Sequence, residues 1–579
     1  MAFRAETFVF EGGLDLETSY LQLPKGRLID CLNYECPPRG GYRRIDGYSL
    51  HDGSASPAAV PGEGEIRGVW IYQEELYAFR DQATEGGMFR ATATGWQAVD
   101  LGTALDFENG SALFEETAQI TGGTSGATAF IGRINVAGGL TDSSSQYGTL
   151  VIHTTSGLFQ AGEDILVDGL KVAEAVGVQY ANSLPKGGRY VFDNENFYGQ
   201  EGQERMYGAN GVGRAFEFDG TYFVPIDNGV DIDFPIQVIG HKSHLFLGYR
   251  NGSIISSSIG SPTTFSPLTG AAEIPVGDEI TDFFQLPGGV LGIGCRQSFQ
   301  FIYGNDATSW SVQQFMDHGI RNFTLQEIGG NILGLDDRGI QAVSPAKEFG
   351  DFGSGTISEG ITRDLLRINA QINVTASAIN KTKSQYRIFF GQVGYFFTFT
   401  VNSLAGITKV LFSDRVLVTC SGEEPSGLEV NYFGSDDGKV FKFDSTNFFD
   451  GEPIESYVRL PFIFESAPTQ RKAYRKAVIE LFAEGEAAEL LGFADFDAGQ
   501  LAASKTVGAN TPEISGALWD SAVWDDFNWA DQIYRGAIEF DITGHGQNMS
   551  LLIYNEGTAD SAFTLYGATV HFSPRRLNR

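Results

Sequence analysis

The stretch "IQVIGHKSHLFLGYRNG", residues 236–252, decides the fold. An apolar run enters, a short polar turn marked by His241 reverses the chain, and a second apolar run leads to Asn251-Gly252. That pair suits a two-residue hairpin, whose central positions need positive φ. The same shape recurs in "RGVWIYQEELYAFRD" (67–81), "GRYVFDNENFYGQ" (188–200), "TDFFQLPGGVLGIGCRQS" (281–298), "LQEIGGNILGLDDRG" (325–339) and "QYRIFFGQVGYFFTFTV" (385–401). The turns, marked at Gln73, Asn194, His241, Pro287, Gly329 and Gln392, lie 121, 47, 46, 42 and 63 residues apart. Most of these steps are close to the ~40–50 residues of one propeller blade. A second hairpin follows in "RAFEFDGTYFVPI" and "NYFGSDDGKVFKFD", with Asp219-Gly220 and Asp437-Gly438 at the turns. Two hairpins make a four-stranded unit that cannot bury both faces alone but can when stacked around an axis. Residues of about 66–445 are therefore expected to form a roughly six-bladed β-propeller, with a run of separate β-sandwiches as the alternative.

The longest step contains Gln119 to Val178, which has no hairpin of this kind but short alternating strands such as "TLVIHT" and "EDILVD". It reads as a small β-barrel inserted at 119–178 and facing outward. Residues 1–65 read as an extended N-terminal platform segment. Residues 446–579 carry longer alternating strands, as in "AYRKAVIELFAEG", and suggest a C-terminal β-sandwich or jelly roll crossed by a loop with Trp519, Trp524 and Trp529. Helix is expected only in "TISEGITRDLLRINAQI", where Ile357, Ile361, Leu365 and Ile368 keep helical spacing.

Composition agrees with an all-β chain: 73 glycines and 45 phenylalanines stand against five methionines in 579 residues. No apolar stretch approaches the ~20 residues of a membrane helix, and the opening lacks a basic-then-apolar secretory pattern. The expectation is a protein made in a cytoplasm. Cys31, Cys36, Cys295 and Cys420 are too scattered for a disulfide framework or a CxxC metal site and read as reduced thiols. A net charge of -32 argues against wrapping nucleic acid, whose binders displace counterions with lysine and arginine.

Motifs for chemistry are missing: there is no GxSxG elbow, HExxH helix, P-loop or strand-following GxGxxG. His241 and His244 have no carboxylate spaced to complete a metal site. The paired acids Asp227, Asp231 and Asp233, Asp495 and Asp497, and Asp436 and Asp437 fall where aspartate serves turns. No catalytic residue, metal or cofactor is expected.

The text "GGLDLETSYLQLPKGRLIDCLNYECPPRGGYRRIDGY", residues 12–48, resembles the opening of tail proteins of short-tailed bacteriophages, and "WDDFNWADQIYRG" with "ATVHFSPRRLNR" resembles their close. The inserted "GGTSGATA" and "GTLVIHTTSGLFQAGEDI" look like a module of phage tail structural proteins. The chain is thus similar to the tail nozzle, or hub. The resemblance implies a non-enzymatic virion protein assembled in the host cytoplasm as a homohexameric ring, with adaptor proteins above and fibres at the side. DNA would pass through without sequence-specific binding, and an acidic lining would let it pass without capture. In so acidic a chain "GGYRRIDGY", residues 40–48, is a basic, aromatic knot. Tyr42, Arg43, Arg44 and Tyr48, with Arg575 and Arg576, are candidate assembly contacts, because arginine forks grip carboxylates and tyrosine suits interfaces. The alternative is an internal ion pair with the protein's own acids. A receptor- or glycan-binding propeller of the virion is the second functional reading.

Overall fold

The computed structural model describes residues 4–575 except 20–21, 52–57, 112–114, 140–144, 200–201, 287, 346–351, 401–402, 425, 466–469, 485–489, 498–504, 508–532 and 558–561. The fold is all-β and propeller-like. Five four-stranded sheets follow one another in sequence, at 63–98, 191–225, 237–275, 280–316 and 326–356, each a plain up-and-down order of its own strands. A sixth pairs Ala376–Asn380, Gln385–Phe399 and Leu404–Val416 with Gly12–Gly13, and a seventh pairs Val418–Glu423, Glu429–Gly434 and Val440–Phe443 with Tyr48–Leu50.

The seven sheets are joined into a closed ring by side-chain and backbone hydrogen bonds, from first strand or its lead-in to the next at every step but the closing one. Trp70 Nε1 donates to Asn194 Oδ1 (2.8 Å), Gly240 N to Asp193 Oδ2 (2.6 Å) and Gln237 Nε2 to Thr281 O (2.8 Å). Leu325 N donates to Asp282 Oδ2 (3.4 Å), Gln326 Nε2 to Ser377 Oγ (3.1 Å) and Thr419 Oγ1 to Ser377 O (2.6 Å). Ile66 N, donating to Ser435 O at 3.0 Å, joins the seventh sheet back to the first. Apolar side chains fill the wedges between neighbours: Phe79, Tyr190 and Phe216 lie between the first and second sheets, and Phe246, Phe283 and Ile293 between the third and fourth. A strand flanked on both faces reads as a continuous apolar run, as in His244–Gly248, where every residue is buried.

The count is seven sheets where the sequence suggests about six, because the last two borrow their fourth strands from the N-terminus. Gln392 is no turn: Gln385–Phe399 is one strand with a register shift between Gly391 and Val393, and the hairpin turns at Lys381–Ser384. Asn194 likewise lies within the strand Val191–Glu195. The Asp219-Gly220, Asn251-Gly252 and Asp437-Gly438 turns all form, with Gly φ of 93°, 82° and 85°. The helix forms at Thr362–Gln371 and buries Leu365 and Ile368.

Between the first and second sheets, strands from Thr103–Gly110 to Tyr180–Ala181 build a separate sheet that closes on itself. Thr103–Gly110 pairs with both Gln146–Ser156 and Leu170–Ala175, the two ends of the remaining strand order. It begins earlier than Gln119, and its core, including Phe107, Ile131 and Phe159, is its own.

The first 65 residues do not stand apart. Arg4–Val9, Tyr34–Glu35 and Tyr42–Arg44 join Lys472–Glu484, Ile533–Gly546 and Phe563–Pro574 in one sheet. Asp30–Leu32 joins Ser456–Arg459, Leu491–Phe496, Lys505–Val507 and Met549–Asn555 in another. The two share a core, with Ile479 and Phe540 from one and Val458 and Ile553 from the other, that runs on to Tyr386, Ile388 and helix residue Leu365. The tryptophan loop lies outside the described residues.

Candidate functional site

The basic knot is placed by two strand pairings. Tyr42 and Arg43 pair with Leu565 and Thr564, and Tyr48 pairs with Phe443. Its aromatic residues turn inward: Tyr42 stacks on Phe10 at 5.6 Å and donates to Glu11 O (2.9 Å) and Gly26 O (2.5 Å). Tyr48 sits among Phe412, Phe433, Phe441 and Phe449, with centroids 5.2, 5.0, 5.1 and 4.9 Å away, and donates to Asp414 Oδ2 at 2.7 Å. Arg44 is fully buried, with a guanidinium N–H 3.4 Å from Asn447 O.

Arg43 belongs to a buried charge junction. It holds Glu35 Oε1 at 2.8 Å and Asp46 Oδ1 at 2.7 Å. Lys383 Nζ, from the turn of the sixth sheet, reaches Glu35 Oε1 (3.1 Å), Asp46 Oδ2 (2.7 Å) and Asp444 Oδ1 (2.9 Å), and Arg387 binds both oxygens of Asp444 (2.7 and 3.1 Å). Gln385 bridges Arg387 and Glu35, and Arg387 lies 4.5 Å over the Phe396 ring. Three cations thus face three carboxylates. Burial alone would lift the Asp444 and Asp46 carboxyls, but Arg387, Lys383 and Arg43 outweigh it and hold both below the usual carboxylate range. The same acids hold Lys383 charged against a burial that opposes it.

The internal alternative is therefore what the structure has. Tyr42, Arg44 and Tyr48 offer no surface to a neighbouring chain, and the Arg43 charge is taken up by the chain's own acids. Arg575 is exposed, with its guanidinium against His545 and its backbone tied to Arg471 and Gln470. Arg576 lies outside the described residues.

The other candidates keep to local work. Asp233 accepts from Tyr249 Oη (2.7 Å), Asp227 pairs with Arg214 (3.0 Å), and Asp497 accepts from Gln547 N (2.6 Å). His241 and His244 face each other across their strands, both buried, and burial pushes His241 down to about 4. No group of three or more His, Cys, Asp and Glu able to hold a metal occurs among the described residues. All four cysteines are free and buried, and burial pushes the Cys31 thiol up to about 12.

Two features were invisible in the sequence. A cavity of about 140 Å3 lies on the axis of the ring, touched by the first strands of six of the seven sheets or by the residues leading into them. Arg189 and Asp282 line it. Arg189 stands 3.5 Å over the Phe323 ring and donates to Thr375 O on the far side. A second cavity, of about 500 Å3, opens between the first and seventh sheets and is rimmed by Glu74, Glu75, Glu423 and Glu424.

No protein-family model matches the chain, and no curated protein does. Among solved structures it is similar to the computationally designed Ika8 protein (8% identity, 66% of this chain and 98% of that one, TM-score 0.32). It is also similar to BBS1N in complex with ARL6DN (9%, 60% and 96%, 0.30) and to virginiamycin B lyase from Staphylococcus aureus (8%, 58% and 98%, 0.32). Likeness at this level assigns no activity.

Proposed function

We propose that the chain is a structural virion protein: a nozzle-like component of a phage tail that assembles as a ring, passes DNA and has no enzymatic activity. On this reading the seven sheets are a seven-bladed propeller carrying a small barrel on its outer side and a sandwich made from both chain ends. The observation that carries it is spatial. The two segments whose text resembles tail proteins lie at opposite ends of the chain, yet Tyr42–Arg44 of the first pairs with the strand Phe563–Pro574 that carries most of the second, Tyr42 opposite Leu565 in one shared sheet. Segments that serve one surface have reason to keep a common character, and a surface built from both ends is available for an adaptor above. DNA would run through the middle of the assembled ring. The chain's own axis is excluded, since a cavity of about 140 Å3 crossed by an arginine has no room for a duplex.

Negative-stain imaging of the purified chain, and of virions labelled at its C-terminus, tests the proposal. Closed rings in solution and label at the tail are expected; a monomer at all concentrations with no label in the tail refutes it. In the same ring the surplus acid is expected to face the passage, and a basic bore would overturn that part alone.

A further inference from the structure

The axial cavity holds a charge that the protein does not neutralise. Arg189 carries five N–H donors, yet among the described residues Thr375 O is the acceptor it holds, and Asp282 acts on it through charge without a hydrogen bond between them. The nearby polar side chains are already engaged. Gln326 donates to Ser377, Ser377 Oγ to Phe323 O and Thr419 to Ser377 O, all within the belt that closes the ring. Asp282 shares the cavity but turns its oxygens to Phe283 N (3.0 Å) and Leu325 N (3.4 Å). A half-buried guanidinium with most of its donors free of protein acceptors is costly, and an anion that takes those donors lowers the cost. At about 30 Å3 per water, the cavity has space for roughly four small groups, the size of a compact oxyanion.

We propose that the axial cavity binds one small oxyanion, a carboxylate or phosphate group, on the guanidinium of Arg189. The Phe323 ring holds the guanidinium flat from one face, and the anion takes the donors left over after Thr375, as a bidentate fork does. Asp282 sets the affinity. Burial pushes its carboxyl up to about 7, against backbone donors and the Arg189 charge; burial also pulls Arg189 down to about 9, against Asp282 and Glu65. The charged groups acting there are thus Arg189, Asp282 and, more distantly, Glu65. Below about pH 7 the Asp282 proton removes the one negative charge beside the site. Binding is tightest there and weakens as pH rises through 7.

The full chain is titrated by calorimetry near pH 6 with inorganic phosphate and, separately, with acetate, at constant ionic strength held with chloride. Saturable binding of one or both ions is expected, and which one binds identifies the group. The affinity should fall about tenfold or more in Arg189→Gln and rise severalfold at about pH 8 in Asp282→Asn, whose pH profile should flatten around 7. No saturable binding of either ion by the wild-type chain overturns the proposal. So does wild-type affinity in a folded Arg189→Gln; if that variant does not fold, an unchanged pH profile in Asp282→Asn does the same.

Discussion

Asp444 is the residue on which the buried junction turns. Asp444→Asn leaves Arg387, itself almost fully buried, with no ion-pair partner and Lys383 with two of its three carboxylates, and breaking such a pair costs up to about 3–5 kcal/mol. Urea unfolding should register the loss. The companion variant Asp444→Leu with Arg387→Met removes one charge of each sign and should recover most of the stability, because the remaining four still balance. If the double variant is as weak as the single, the junction works by shape instead of charge. The knot was legible as an anomaly, two arginines in an acidic chain, but its partners were not. Lys383 lies 348 residues from Glu35, and no local pattern announces a pairing at that separation.

At the scale of elements, the inserted sheet is the most separable part. Its first and last strands meet, Thr103 opposite Ala181, and Asn182 N donates to Gly102 O at 3.0 Å, so the chain leaves the ring and returns at one point. It rests on the second sheet through Arg133 to Glu217 (2.7 Å) and Asn135 to Pro225 O (2.9 Å), and Glu217 keeps Arg205 and Tyr207 without it. Excising residues 103–181 and joining Gly102 to Asn182 through a short glycine linker should leave a folded ring whose melting temperature changes by only a few degrees, readable by circular dichroism. Collapse of the ring would mean that the insert is part of its core. Most elements could be read from the sequence wherever strand and partner are consecutive: the turn pairs, the helix and the five self-contained sheets carry their pairing in local spacing. The sixth and seventh sheets could not. Gly12–Gly13 contributes two residues, and Gly13, at φ +66°, lies so close to Ile407 that a side chain there would strike its backbone. Two glycines carry no strand signal, and the seventh sheet takes its fourth strand, Tyr48–Leu50, from the far end of the chain, so local spacing yields six units instead of seven.

For the whole molecule, buried acids predict an acid-shifted stability optimum. Burial pushes Asp193 and Asp282 up to about 7 and Glu465 to about 6, so the folded state binds protons that the unfolded state, with acids near 4, does not. Stability therefore rises as pH falls from about 7 toward 5, helped by the shrinking net charge. Asp444 and Asp46 act in the opposite sense. Their folded values are depressed, so their contribution is complete above about 4 and is lost as pH drops below it. Scanning calorimetry from pH 3 to 8 should find the highest melting temperature between about 4 and 6; a maximum above 7 would contradict these assignments. The closing of the ring also has a consequence in time. The ribosome releases Tyr48 long before its hydrogen-bond partner Asp414, 366 residues downstream, and at about 5–20 residues per second the front of the nascent chain waits for tens of seconds with its aromatic side chains unsheltered. A chaperone or an early-folding neighbour has to stand in during that interval, and a chain truncated by premature termination leaves that opening segment with nothing to dock on.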